Sequence, residues 1–443
     1  MKRLTKYLGR ILLAIFLLLL LVVSSLYFLP VQRVIKTKAA DYRLQHYGLT
    51  VEIGRFRLGF PANLVLEEVY CGQVASDTLL ALKSLHLKVG IGKIFRRQLT
   101  VDDFTVKGVR LGMTNAVSGM GLQVTATEVA LVAKRVDWGM RQVDAAFVRL
   151  KGVDVSLETG KEIPPDTAVA GRLDWIFQVG QIDLQQVDYR MTGADVASLT
   201  ASIRKGVVGG VAVDLGGQSV AVDSLCVSGG NGRLIRAEAS EKDRVRQNTV
   251  SATPWIIRAG RLQLDNSAFV LGGEQRNTTE WALSGIGIRL DSIYNRGTVV
   301  KARLSDLRAV QLGGISVTGM YADAGSDSTR TWVRGGYVRT LNSWLKLDVF
   351  ADAGLSHLME REPLSVRLTG QVGMADVLPY CSSLPEEIRE EVLNVNTVFS
   401  LSDKRLQVGQ LLLDMANRFK LTGSGSLSSF RDVDRMKGAL VMR

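Results

Sequence analysis

Leu85-His86-Leu87-Lys88-Val89-Gly90-Ile91 decides the fold class. Aliphatic residues fill the odd positions, with His86, Lys88 and Gly90 between them. Successive side chains of an extended strand point to opposite faces. The stretch therefore predicts a half-buried strand, apolar on one side and wet on the other. Upstream, Leu49, Val51 and Ile53 alternate, then Phe56, Leu58 and Phe60. Leu64 and Leu66 follow, with Val69 after a phase slip. Downstream, Leu99 and Val101 open the next strand, and Phe104, Val106, Val109 and Leu111 continue it.

The same pattern extends to Leu262 and Leu264, Ile286 and Ile288, Ile315 and Val317, and Leu345, Leu347 and Val349. It is still present at Leu440-Val441-Met442, which reads as a strand broken off in mid-pattern and suggests a partial chain. Frequent glycine breaks mark antiparallel strands. No strand–helix–strand alternation points to a doubly wound parallel sheet. Residues 161–166, with Pro164-Pro165, read as a loop, and the Gly209-Gly210, Gly216-Gly217 and Gly229-Gly230 pairs as hairpin turns. Residues 384–393 read as a short helix with Ser383 as its cap and Pro385 in its first turn.

An internal repeat runs through the array. Trp175-Ile176-Phe177-Gln178-Val179-Gly180 leads on to Ile182 and Leu184. Eighty residues later, Trp255-Ile256-Ile257-Arg258-Ala259-Gly260 leads on to Leu262 and Leu264. A looser copy begins at Asp137-Trp138. Either these are chance similarities among strands, or they mark an array whose units share a continuous core.

The chain opens differently. Residues 1–10 form a basic tail with Lys2, Arg3, Lys6 and Arg10, and residues 11–29 are an uncharged apolar run. At about 1.5 Å per residue such a run matches a hydrocarbon core of about 30 Å. It reads as a signal anchor; the alternative is a cleaved signal peptide around Val23-Ser24-Ser25. Arg33, Lys36, Lys38 and Arg43 follow it, so the Lys/Arg bias leaves orientation undecided. The short tail favours a cytoplasmic N-terminus, and both basic clusters suit anionic headgroups. Residues 30–48 read as a juxtamembrane helix ending at Gly48, and residues 49–443 as the β region.

The 443 residues carry a net charge of +12, which raises nucleic acid as a partner. No basic run is interleaved with aromatic residues and no nucleic-acid motif is present, so the charge reads as a solvated face. Three cysteines, Cys71, Cys226 and Cys381, are too few and too dispersed for a disulfide framework or a CxxC site. His46, His86 and His357 stand outside any metal-ligand spacing. There is no P-loop, GxSxG elbow or dinucleotide fingerprint. Nothing supports an enzyme, and no cofactor is expected.

Several stretches resemble the N-terminal part of the TamB/AsmA-like family of diderm bacteria. They are the basic tail and span, then Val31-Gln32-Arg33-Val34-Ile35-Lys36, Gly48-Leu49-Thr50-Val51-Glu52-Ile53-Gly54-Arg55-Phe56, Leu64-Val65-Leu66-Glu67-Glu68-Val69-Tyr70 and Asp77-Thr78-Leu79-Leu80. The resemblance is clearest over residues 1–115. It implies a mainly β fold: a transmembrane helix, then an elongated, curved antiparallel β-groove with few short helices. It implies an inner-membrane anchor with the bulk in the periplasm. The implied work is phospholipid movement toward the outer membrane, or outer-membrane protein assembly with a β-barrel partner. This chain lacks the long remainder of such proteins.

A sheet with one apolar face must cover it with a layer, with its own curvature or with a ligand. The residues expected to line a lipid groove are Leu85, Leu87, Val89, Leu99, Val101, Phe104, Val106, Leu262 and Leu264. The competing expectation for each is an ordinary packed β core, as in a sealed envelope structural protein.

Overall fold

The structure is a computed structural model. It describes residues 49–442 apart from 61, 74–77, 91, 93–96, 116–119, 160–173, 194–195, 237–253, 274–280, 312–313, 356–362, 382–383, 403–404, 417 and 429–436. The expected anchor at 11–29, the helix at 30–48 and the basic clusters lie outside the described residues, as do His46, His357, Pro164, Pro165 and Ser383. Among the described residues no helix is long and apolar enough to cross a membrane.

Mainly β architecture is found, in two units that divide at residue 194. The first holds β1 (Leu49–Gly59), β2 (Asn63–Gln73), β3 (Thr78–Gly90), β4 (Gln98–Asn115), β5 (Met120–Asp137), β6 (Gln142–Thr159) and β7 (Ile176–Gly193). β1 to β6 pair in chain order as an antiparallel meander, and β7 lies parallel to β6.

The second unit holds β8 (Val196–Asp214), β9 (Ser219–Arg236), β10 (Ile256–Gly273), β11 (Trp281–Arg296), β12 (Val299–Gln311), β13 (Ser316–Ser326), β14 (Thr331–Thr340), β15 (Trp344–Ala351), β16 (Leu364–Gly373), β17 (Val392–Leu401), β18 (Arg405–Met415), β19 (Phe419–Ser428) and β20 (Lys437–Met442). β9 and β10 are parallel and every other neighbouring pair in this unit is antiparallel.

The two parallel steps depart from the antiparallel expectation. Each follows a long connection, residues 160–175 and 237–255, and parallel neighbours need such a crossover where antiparallel ones need only a hairpin. They also explain the repeat, whose two closer copies are the parallel strands β7 and β10. The Ile176 N–H donates to the Arg141 carbonyl at 2.9 Å, and the Ile256 N–H to the Gln218 carbonyl at 2.9 Å. A Cβ on Gly180 would stand 2.8 Å from the Ala146 oxygen, and one on Gly260 2.6 Å from the Asp223 oxygen, so both sites require glycine. The looser copy at Trp138 is not equivalent. It lies in the β5–β6 turn.

Two further expectations change. Gly216-Gly217 is a turn, but Gly210 and Gly229 sit inside β8 and β9 with φ of 58° and 68°. Positive φ is the correct demand, and a position inside a strand whose register is unbroken meets it as well as a hairpin does. The expected helix at 384–393 is a single 3-10 turn, Glu386–Ile388, and β17 begins at Val392. The one short α-helix among the described residues, α1, is Met374–Val377.

The first sheet has a crease. Gly54, Glu68, Lys83, Gly108, Thr127, Gly152 and Gln186 occupy one row across β1 to β7, judged from the paired residues on either side. At that row every strand places two consecutive residues off the apolar face, as between Leu66 and Val69 or Val106 and Val109. A slip in one strand alone would turn its remaining side chains to the wrong face. Seven slips in register keep the face intact. Glu68, Gly108, Gly152 and Gln186 take positive φ, from 54° to 64°. They belong to β2, β4, β6 and β7, the strands that run in one direction.

The wet face has its own order. Register neighbours Arg261, Asp291, Arg303, Asp323 and Arg334 alternate in charge across β10 to β14, and Asp348 and Arg367 are neighbours on β15 and β16. Arg261 Nε reaches Asp291 Oδ1 at 3.2 Å. Opposite charges on adjacent strands favour this register over its slips.

Candidate functional site: the apolar face

Register carries the apolar residues into rows that cross the strands. Leu64, Leu87, Phe104, Leu131, Val148 and Ile182 form one row from β2 to β7. Leu66, Leu85, Val106, Val129, Leu150 and Leu184 form the next. Val89, Val101, Ala133, Ala145 and Val179 form a third. With six strands about 4.8 Å apart, each of the two longer rows extends roughly 24 Å.

All seven lining residues expected in the first unit lie on this face. Val106 packs with Val69 and Leu82, and Leu85 and Phe104 lean on that group. Val101 packs with Ala133 and Ala145, and Leu87, Leu99 and Phe104 close around them. Val89 pairs with Val101 across β3 and β4. Leu262 and Leu264 belong to the second unit. Leu262 stands between Leu225 and Leu290, and Leu264 between Val227 and Ile288. The sequence reading missed Leu131, Val148, Ile182 and Leu184, although the alternation in β5 to β7 marks them.

Burial describes an unsealed surface. Two sheets packed face to face bury large side chains completely. Among the described residues no large side chain is fully buried. Val101 and Val106 are 8% and 6% exposed, while Leu85, Leu87, Val89, Leu99, Phe104, Leu262 and Leu264 are only half-buried. The tightest positions are small: Ala133 and Ala145, at 1% each, are overhung by their larger neighbours. In the second unit Gly425 and Gly438 leave a hollow of about 380 Å³ beside Leu406, Val408 and Leu427.

The polar groups do structural work. His86 Nδ1 lies 3.0 Å from Asp103 Oδ2 on the wet face, and Thr105 Oγ1 donates to Asp103 Oδ1 at 2.9 Å. Hydrogen bonds from the Met140 N–H and the Gln98 amide hold the Asp137 carboxyl below its usual range. Asp291 is lowered by the Ser305 hydroxyl, and Asp327 by the Thr329 N–H and hydroxyl in the β13–β14 turn. Burial pushes the Asp376 carboxyl up, but donors from Ser343, Thr340 and Asn342 outweigh it and leave it lowered. That cluster fixes the β14–β15 turn to α1. Among the described residues no group of three or more His, Cys, Asp or Glu is placed to hold a metal ion. No protein-family model, curated protein or solved structure matches the chain.

Proposed function

We propose that this is an inner-membrane-anchored β-groove protein of the TamB/AsmA-like kind, which carries phospholipid across the periplasm along its apolar face. What supports it is the set of apolar rows that run without interruption across as many as six strands, with no large side chain fully buried among the described residues. An acyl chain lying along such a row gains about 0.8 kcal/mol per buried methylene, before ordering costs. Its headgroup stays in water at the rim. Rows that cross the strands give a path along the array, the direction that an anchored carrier needs. Curvature of the sheet would deepen the face into a trough.

The test is lipid transfer by the full chain between donor and acceptor vesicles. Val148→Arg places a cation in one of the two longer rows, between Leu131 and Ile182, and Arg149→Ala alters the opposite face of the same strand. Transfer that falls with Val148→Arg and survives Arg149→Ala supports the reading. Transfer indifferent to Val148→Arg contradicts it. Co-purification of an outer-membrane barrel that persists in Val148→Arg, without transfer, would favour an assembly scaffold.

A further inference from the structure

We infer that the start of the β16–β17 connection is a brace, which couples the β14–β15 and β12–β13 turns of the second unit so that opening one loosens the other. It is independent of lipid carriage, because it concerns how the rim of the sheet is held and not what the face carries. In an antiparallel meander every second turn falls at the same end of the sheet. The turns after β12, β14, β16 and β18 therefore share one rim. A hairpin turn is tied by its own short-range hydrogen bonds, and on those alone the turns would open one at a time. The β16–β17 connection adds a longer tie. It leaves β16 as α1, continues as a 3-10 turn at Leu378–Tyr380, and runs back along the rim past β15, β14 and β13.

Two points of attachment seat the brace. The buried Asp376 carboxylate accepts from Thr340 Oγ1 at 2.5 Å, Ser343 Oγ at 2.5 Å and Asn342 Nδ2 at 2.8 Å, all at the β14–β15 turn. Further back, the Tyr380 hydroxyl accepts from the Ile315 N–H at 3.2 Å and donates to Gln311 Oε1 at 2.7 Å, closing on the β12–β13 turn. Tyr380 is 48% exposed, so these bonds rather than burial hold its ring in place. A Cβ on Gly314 would stand 2.2 Å from the Tyr380 hydroxyl oxygen, and one on Gly373 2.5 Å from the Asn342 carbonyl oxygen, so glycine makes room for each approach. At the base, the Met374 N–H donates to the Glu391 carbonyl at 2.9 Å, and the Glu391 carboxylate accepts from Arg418 Nε at 2.9 Å in the β18–β19 turn. Tyr380 follows Asp376 by four residues, and helical turns fill the interval, so a displacement at one attachment is carried to the other. Such coupling is reciprocal.

The test is native-state hydrogen exchange on the full chain, read by mass spectrometry on peptides containing Ile315 and on peptides containing Ser343. Asp376 bonds at the β14–β15 turn and Tyr380 at the β12–β13 turn, so each substitution is read at the turn it does not touch. Asp376→Asn is expected to speed exchange around Ile315 about threefold, and Tyr380→Phe, which removes one hydroxyl, to do the same around Ser343. The double variant should exchange at either turn little faster than the single variant that acts there directly. Should Asp376→Asn unfold the second unit, Ser343→Ala, which takes one donor from Asp376, is read around Ile315 in the same way. An effect confined to the turn that each substitution touches would overturn the inference. So would effects that simply add in the double variant.

Discussion

Substitution of Gly152 by alanine tests whether the aligned crease holds the first sheet together. Gly152 has φ of 57°, and a Cβ there would meet Thr127 Cβ at 2.9 Å and Thr127 Oγ1 closer still. The left-handed conformation alone costs an L-residue about 1–2 kcal/mol. Thr127 rides on the neighbouring strand and its Cβ cannot rotate away, so displacing it adds roughly 1 kcal/mol. The expected sum is about 2–3 kcal/mol, close to a hundredfold in local opening. Gly285 is the comparator: its φ is 59° and nothing lies within 4 Å of its Cβ position. Gly285→Ala should therefore show the conformational cost alone, about 1–2 kcal/mol. Native-state hydrogen exchange on peptides from β5 and β6, and from β11 for the comparator, reads both. The reasoning fails if Gly152→Ala costs no more than Gly285→Ala, or leaves β5 and β6 equally protected.

Three other outcomes are expected. Gln186→Gly removes a side chain from a residue at φ 54° and should be neutral or stabilising by up to about 1 kcal/mol in β7 exchange. Arg334→Asp places a carboxylate beside Asp323 in the charge ladder. It should loosen β13–β14 by about 1 kcal/mol at low salt and less at high salt, where exposed charges are screened. Asp376→Ala should cost about 2 kcal/mol at the β14–β15 turn by stripping Thr340, Asn342 and Ser343 of their acceptor. Because the folded pKa of Asp376 is depressed, its contribution is fully present above the unfolded value of about 3.9 and is lost as pH falls through the folded value. Protection of that turn, followed against pH, should lose this acid step in Asp376→Asn.

Much of the fold was legible because an open sheet states its two faces in its alternation. Leu85, Leu87 and Val89 gave one face, and the slip before Val69 already held the crease: Leu82 and Leu85, and Val106 and Val109, repeat the same gap. What alternation does not carry is strand order. Nothing local to Ile176 or Ile256 announces a parallel neighbour, since that depends on where the preceding connection ends. The glycine pairs misled for a related reason. Positive φ is a property of one residue, and Gly210 and Gly229 meet it inside a strand as readily as at its end. At 384–393 the acidic residues and Pro385 gave a helical start, but Val392-Leu393 pairs with Gly373 and Val372, and the ladder takes over after one turn. The residues of the apolar face are legible because they are large and alternate. Ala133 and Ala145 were missed because their burial is made by the neighbours that overhang them.

Whether the apolar face meets lipid is tested most directly by a photocross-linking scan through β3. A photoreactive residue is placed in turn at Leu85, His86, Leu87 and Lys88 of the full chain, which is then exposed to phospholipid vesicles. Leu85 and Leu87 stand in the aliphatic rows, while His86 faces Val65 and Thr105 across the strands. Phospholipid adducts at 85 and 87, with none at 86 and 88, are the predicted result. Adducts without that alternation, or only at 86 and 88, would contradict it.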